Sequence, residues 1–217
     1  MENLSNAAAR YQRNVEDITI MAVSKTRSQE EVVEAREAGL TLFGENRSEE
    51  ASEKFADLEA QTYPLYLIGH LQSNKISRIT SRYAGVHSVD SVKLARKLSE
   101  RRGEEDTPLE ILLQVNTSGE ESKSGFADAG EFAEAAAQIA QFPQLSLKGI
   151  MTMAPFVDNE VVVRRCFSLA RQWGESIESL VDGPLQLSMG MSSDYPWAVA
   201  EGSNLLRVGT TLFGRRD

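Results

Sequence analysis

The sequence has little of what several common chemistries need. One cysteine, Cys166, stands among 217 residues. An internal disulfide is therefore excluded, and a reducing compartment, the cytoplasm, is expected. Two histidines, His70 and His87, are too few for a zinc site built on several His and Cys ligands. No apolar run approaches the length that spans a bilayer. The polar opening from Met1 to Asn14 does not read as a signal peptide. Basic residues are outnumbered, 23 Lys and Arg against 32 Asp and Glu, for a net charge of −9. That balance argues against nucleic acid and anionic membrane as partners, while a small anion held by local cations remains possible. There is no Gly-x-Ser-x-Gly elbow and no Gly-x-Gly-x-x-Gly after the first strand.

What is present is an alternation. Apolar residues make up 41% and charged residues 25%, as in an ordinary soluble globular protein. The length suits one domain over 1–217. Short strand-like runs recur at 18–24, 40–44, 65–69, 85–89, 109–116, 145–151, 185–188 and 204–208, and longer stretches with helical spacing separate them. Ser28 with Glu31 three residues on is a capping box, and Gly39 is placed to end that helix. The stretch 47–60 reads as an acidic helix, 73–82 as a basic one, and 160–181 as a long one. Gly103 to Pro108 reads as a charged turn. Eight strands, each followed by a helix or helical turn, predict a single α/β (β/α)8 TIM barrel. The alternative is an open doubly wound sheet.

In such a barrel, chemistry gathers at the C-terminal ends of the strands. Those ends carry Ser24-Lys25-Thr26, Gly44-Glu45-Asn46, Gly69-His70-Leu71-Gln72, Asn116-Thr117-Ser118, Met151-Thr152-Met153, Ser188-Met189-Gly190-Met191-Ser192 and Arg207-Val208-Gly209-Thr210. Polar residues and glycines thus follow directly on apolar strands. Lys25 leaves a buried strand, where a drier setting lowers an amine pKa and makes it a nucleophile toward aldehydes. The plainer reading is a strand-end lysine reaching solvent. Arg207, Gly209 and Thr210 offer a fixed cation, close backbone approach and a hydroxyl, and Ser192 adds another donor. Each piece alone is turn chemistry; together they form a phosphate-site signal.

Asn46 fits two roles, a hydrogen bond to a ring hydroxyl or a helix cap. Met151, Met153, Met189 and Met191 can wall a flat ring or simply pack. His70 reads as structural, and Lys123 as solvent-facing. Lys75 and Arg78 read as a solvated face that can also attract an anion.

These strand-end motifs resemble one family. Ala22-Val23-Ser24-Lys25-Thr26, Phe43-Gly44-Glu45-Asn46, Ile68-Gly69-His70-Leu71-Gln72-Ser73-Asn74-Lys75 and Glu121-Ser122-Lys123-Ser124-Gly125 are similar to motifs of the pyridoxal phosphate homeostasis proteins. So are Leu147-Lys148-Gly149-Ile150-Met151, Ser188-Met189-Gly190-Met191-Ser192-Ser193-Asp194, Arg207-Val208-Gly209-Thr210 and Phe213-Gly214-Arg215-Arg216-Asp217. The resemblance runs in order from the first strand to the end of the chain. It implies a barrel like the N-terminal domain of alanine racemase, with pyridoxal 5′-phosphate held on Lys25 through a Schiff base. It further implies that Ser192, Gly209 and Thr210 hold the phosphate, that Arg207 faces the pyridine nitrogen, and that Asn46 and Met189 lie beside the cofactor. The segment before the first strand is shorter than in the family, so a shortened first outer helix is expected.

Racemases of this barrel type draw a second base from another domain. The chain stops soon after Val208, so that domain is expected to be missing and a monomer is expected. A guanidinium cannot accept a proton from the ring nitrogen, and an unprotonated pyridine is a weaker electron sink. The expectation is a cytoplasmic carrier that buffers pyridoxal phosphate or delivers it to apo-enzymes that depend on it. Three alternatives remain: a monomeric amino-acid racemase, a lysine aldolase without a cofactor, and an interaction protein with a vestigial site.

Overall fold

A computed structural model describes residues 2–103, 107–120 and 123–214. Eight parallel strands close into a barrel in sequence order: β1 (Thr19–Val23), β2 (Leu42–Glu45), β3 (Leu65–Leu67), β4 (Tyr83–Val89), β5 (Leu109–Gln114), β6 (Leu145–Met151), β7 (Gln186–Ser188) and β8 (Leu205–Val208). Closure comes from β1 pairing with both β2 and β8, with Val23 opposite Gly44 and Met21 opposite Arg207. The expected (β/α)8 barrel is therefore the fold, and the open sheet is not.

Two apolar layers follow from the alternation of side chains along each strand. Met21, Tyr66, Leu112, Met151 and Leu205 form a small cluster of their own inside the barrel. A much larger cluster, with Ala22, Phe43, Ile111, Ile150 and Leu206 from the strands, lies between the sheet and the outer helices. Residues that are neighbours in sequence, such as Met21 and Ala22, thus belong to different layers.

Outside the strands stand α1 (Glu2–Arg10), α2 (Gln29–Glu37), α3 (Ser48–Lys54), α4 (Val92–Arg101), α5 (Ala129–Ile139), α6 (Glu160–Ser176), α7 (Tyr195–Ala200) and α8 (Thr210–Phe213). The capping box is present: Ser28 accepts from the Glu31 amide while Glu31 accepts from the Ser28 amide. Gly39 follows with φ +97, the left-handed conformation that glycine reaches without strain. Ser91, Asp128 and Asn159 cap α4, α5 and α6 with their side chains.

Two expectations need correction. The acidic helix ends at Lys54 rather than Ala60, because Phe55 turns into the core, fully buried, with its ring 6.1 Å from Phe43. The stretch 73–82 forms only a 3-10 helix, Ser73–Arg78, which buries one residue, Ile76; Ser, Asn and Ile are weak helix formers, and a single apolar contact cannot hold a longer α-helix. The first outer helix is α1, formed by the polar N-terminal segment. It buries Leu4, Ala7 and Ala8, and Arg13 just after it donates to the Val199 carbonyl at the end of α7. Within the charged turn Gly103–Pro108, residues 104–106 lie outside the described residues, as do Glu121, Ser122 and Arg215–Asp217.

Candidate functional site

The turn after β1 is specific. The Arg27 amide donates to the Ser24 carbonyl at 3.0 Å, closing a four-residue turn with Lys25 second and Thr26 third. Thr26 has φ +65, rare for a β-branched residue. Lys25 is half-buried and is presented at the apex of this turn.

The barrel places the other candidates on both sides of it. On the β2 side, the Ser24 amide donates to the Gly44 carbonyl at 3.1 Å, so Asn46 follows on the neighbouring strand end. Asn46 does not cap α3: the cap position is Arg47, without a side-chain bond. Gly69, on the next strand end, lies so close that a Cβ there would stand 2.1 Å from the Asn46 carbonyl oxygen.

On the β8 side, Gly209 lies against the end of β1; a Cβ would come within 3.2 Å of the Val23 carbonyl oxygen. Thr210 opens α8. Ser192, in the turn after β7, accepts from the Thr211 amide at 3.3 Å, which joins the two turns that sequence singled out for phosphate. Asn46, Lys25, Gly209-Thr210 and Ser192 therefore lie on one continuous arc across β2, β1, β8 and β7.

Arg207 lies beneath this arc, inside the barrel and 4% exposed. Its guanidinium donates to the Ser188 carbonyl at 2.6 Å, the Ser188 hydroxyl at 2.8 Å and the Thr152 carbonyl at 2.8 Å. These partners are neutral. Burial lowers its pKa to about 10, opposed by Asp194, so it remains a cation at neutral pH. Asp194 is itself buried, which raises its carboxyl pKa, while the Met191 amide and Arg207 pull the other way. Its Oδ1 accepts from the Met191 amide and so shapes the turn that carries Ser192.

Met189 is fully buried in the layer between strands and helices, and the Ser203 hydroxyl donates to its carbonyl. The methionines on the inner face are Met21 and Met151, with Met153 packed against them. His70 lies near Asp90 and Ser124 at the rim. Lys123 is not simply solvent-facing: it donates to the Ala154 carbonyl at 3.0 Å and pairs with Glu120. Lys75 and Arg78 both face Glu49. That carboxyl is held down to about 2 by its own backbone amide and by Lys75, so it balances one of the two basic charges on this face.

Sequence reasoning missed Ser188, Thr152, Asp194, Glu45 and Lys54. The first four stood inside quoted motifs without a role, but Lys54 looked like one more charge on an acidic helix.

Two cavities open at the opposite, N-terminal end of the strands. One, of about 200 Å³, is lined by Met21, Leu42, Tyr66, His87, Leu205 and neighbours. The other, of about 580 Å³, is bordered by Arg82, Arg102, Glu110 and Lys148. The first has no cation in its wall. In the second, Arg82 and Arg102 already donate to backbone carbonyls. Neither matches the strand-end arc as an anion site. No group of three or more His, Cys, Asp or Glu able to hold a metal occurs among the described residues, and no described helix is long and apolar enough to cross a membrane.

The whole chain, residues 1–217, matches the family described as alanine racemase, N-terminal domain. It is 39% identical to the pyridoxal phosphate homeostasis protein of Escherichia coli K12, over all of this chain and 93% of that one. It is 40% identical to the protein of the same name from Pseudomonas aeruginosa PAO1, over all of this chain and 95% of that one. The solved structure of PipY from Synechococcus elongatus with pyridoxal phosphate bound matches with a TM-score of 0.81 at 33% identity, covering 97% of this chain and 99% of that one.

Proposed function

This chain belongs to the pyridoxal phosphate homeostasis proteins of the alanine racemase N-terminal-domain family, and from that premise we propose that it carries pyridoxal 5′-phosphate at the strand-end arc around Lys25. The observation that carries the reading is the arc itself: one half-buried amine flanked on neighbouring strands by hydroxyl and backbone donors, with a buried cation beneath. The donor set fits the cofactor, which combines an aldehyde, a phosphate and a ring nitrogen.

Lys25 would hold the aldehyde covalently through its amine. Ser192, Gly209 and Thr210 would hold the phosphate with hydroxyl and backbone N–H donors. Arg207 would face the ring nitrogen and Asn46 the ring edge. When bound, the cofactor supplies an aldehyde that reacts with amines and a ring that can draw electrons from them.

Arg207 favours a carrier over sustained catalysis. A guanidinium donates hydrogen bonds and cannot hand a proton to the ring nitrogen while staying charged. The ring then remains a poor electron sink. The reading is of a cytoplasmic, monomeric buffer or donor of the cofactor within one barrel domain, 1–217, with apo-enzymes that need the cofactor as its recipients.

The test is the visible spectrum and intact mass of the purified protein given pyridoxal phosphate and then borohydride. A fixed adduct mapping to Lys25, absent in Lys25→Ala, is expected. No adduct in the wild type would overturn the reading. Rapid α-proton exchange of an amino acid that Lys25→Ala abolishes would replace the carrier with a racemase.

A further inference from the structure

Lys54 ends α3, a helix whose sequence carries Glu49, Glu50 and Glu53 and reads as a solvated face. The fold instead turns its side chain inward, to 6% exposure. The ammonium has three donors, and three acceptors meet it: the Ser24 carbonyl at 2.6 Å, Glu45 Oε1 at 2.8 Å and Glu50 Oε1 at 3.2 Å.

These acceptors converge on the turn that presents Lys25. Glu45 is fully buried, and its Oε1 also accepts from the Ser24 hydroxyl at 2.7 Å. Glu50 Oε1 accepts from the Thr26 amide. One cation and two carboxylates therefore grip the residue before Lys25 by its carbonyl and hydroxyl, and the residue after it by its amide. Thr26 sits at φ +65, a conformation that a β-branched residue keeps only when its surroundings hold it there.

Stability alone does not account for the cluster. A buried ion pair is commonly no better for stability than apolar residues of the same volume. Here it leaves Glu45 Oε2 buried without a partner. Burial raises the Glu45 pKa against the pull of Lys54 and Ser24. For Glu50, desolvation is outweighed by the Thr26 amide and Lys54, so its pKa is lowered. A carboxylate kept ionised on a backbone amide is a strong anchor for that amide.

We infer that Lys54, acting through Glu45 and Glu50, is the positioning residue for the Lys25 amine. The inference rests on the reading that Lys25 is the reacting amine, and it assigns no contact between Lys54 and the cofactor. As the Lys25 nitrogen joins the aldehyde carbon, the carbonyl oxygen leaves as one water carrying both amine protons, and no redox change occurs. Lys54 and its carboxylates hold the turn still while this happens.

The test uses the full chain. Glu50 is the gentle point of entry, since its side chain is 30% exposed. Amide hydrogen exchange at Thr26, followed by NMR without any aldehyde, reads positioning directly. The rate of borohydride-trappable addition of pyridoxal phosphate to Lys25, taken as a function of pH, reads its consequence. In Glu50→Ala, exchange at Thr26 rises and addition slows, each by about tenfold or more, the scale of one charge-assisted hydrogen bond. The pH midpoint of addition shifts with them, and Glu50→Gln, which keeps a neutral acceptor but not the charge, restores part of the loss. Lys54→Met behaves like Glu50→Ala where it folds. Unchanged Thr26 protection in Glu50→Ala overturns the inference. So does faster Thr26 exchange that leaves the addition rate and its pH profile unaltered. A wild-type protein that forms no adduct on Lys25 defeats the carrier reading and this inference with it, whereas a wild type that reacts normally beside an unaffected Glu50→Ala defeats only the inference.

Discussion

The Ser192 hydroxyl accepts a hydrogen bond from the Thr211 amide at 3.3 Å, tying the turn after β7 to the turn after β8. Asp194 shapes the first turn by accepting from the Met191 amide. Arg27 shapes the second by donating to the Gly214 carbonyl at 2.7 Å. Two loops that are weak signals separately thus form one concave edge beside Lys25.

Ser192→Ala removes an acceptor for Thr211 and a donor for phosphate. The dissociation constant for pyridoxal phosphate should rise about tenfold. Unphosphorylated pyridoxal, measured by the same equilibrium dialysis, should bind the variant and the wild type alike. An equal loss for both ligands would remove Ser192 from the phosphate site.

His87 sets a pH dependence. Burial, with Arg207 adding repulsion, lowers its pKa to about 3 from 6.5. Above the unfolded value both states are neutral and stability is at its plateau. As pH falls from about 6.5 toward about 3, the unfolded chain takes up the proton first and stability drops by up to about 1.4 kcal/mol per pH unit. His87→Phe keeps a ring against Tyr66, whose centroid is 5.1 Å away. Urea unfolding of the variant should be flatter between about pH 7 and about pH 5; identical slopes would show that His87 titrates normally.

Gly69→Ala places a methyl 2.1 Å from the Asn46 carbonyl oxygen. Backbone cannot yield as a flexible side chain does, so the cost should be about 1–3 kcal/mol or more. Calorimetry should show a melting temperature lower by several degrees. Gly119→Ala, with open space around its Cβ, is not a clean control because its φ is +76. Gly130→Ala, whose nearest neighbour is the end of the Asp128 side chain at 3.2 Å, is the better one.

Cys166 should be inert in the folded protein. It is buried, burial raises its pKa, and its Sγ lies 3.0 Å from the Thr117 hydroxyl. A thiol reagent at mildly alkaline pH should react only after denaturant is added. Fast native-state labelling would contradict the packing of α6 on β6.

The local order of this protein was written in its sequence. Alternating strand-like and helical runs specified eight repeats, Ser28 with Glu31 marked a helix start, and Gly39 marked its end. Lys25, Asn46, Ser192, Arg207, Gly209 and Thr210 were visible because each lies at or just past the end of an apolar strand, and such positions share one face once a barrel closes. The closure itself, with β1 beside β8, is what sets Gly209 against Val23 and makes Arg207 a buried cation. Sequence could not place Lys54, because its partners Ser24 and Glu45 come from earlier elements and a helical charge pattern shows no long-range pairing. Nor could it show that His87 lies buried beside Tyr66 and near Arg207, since those neighbours come from β3 and β8. Periodicity fixes which face of an element is apolar. Which distant groups meet across the core is settled only when the whole chain packs, because the cost of burying a charge is met only by the partners it finds there.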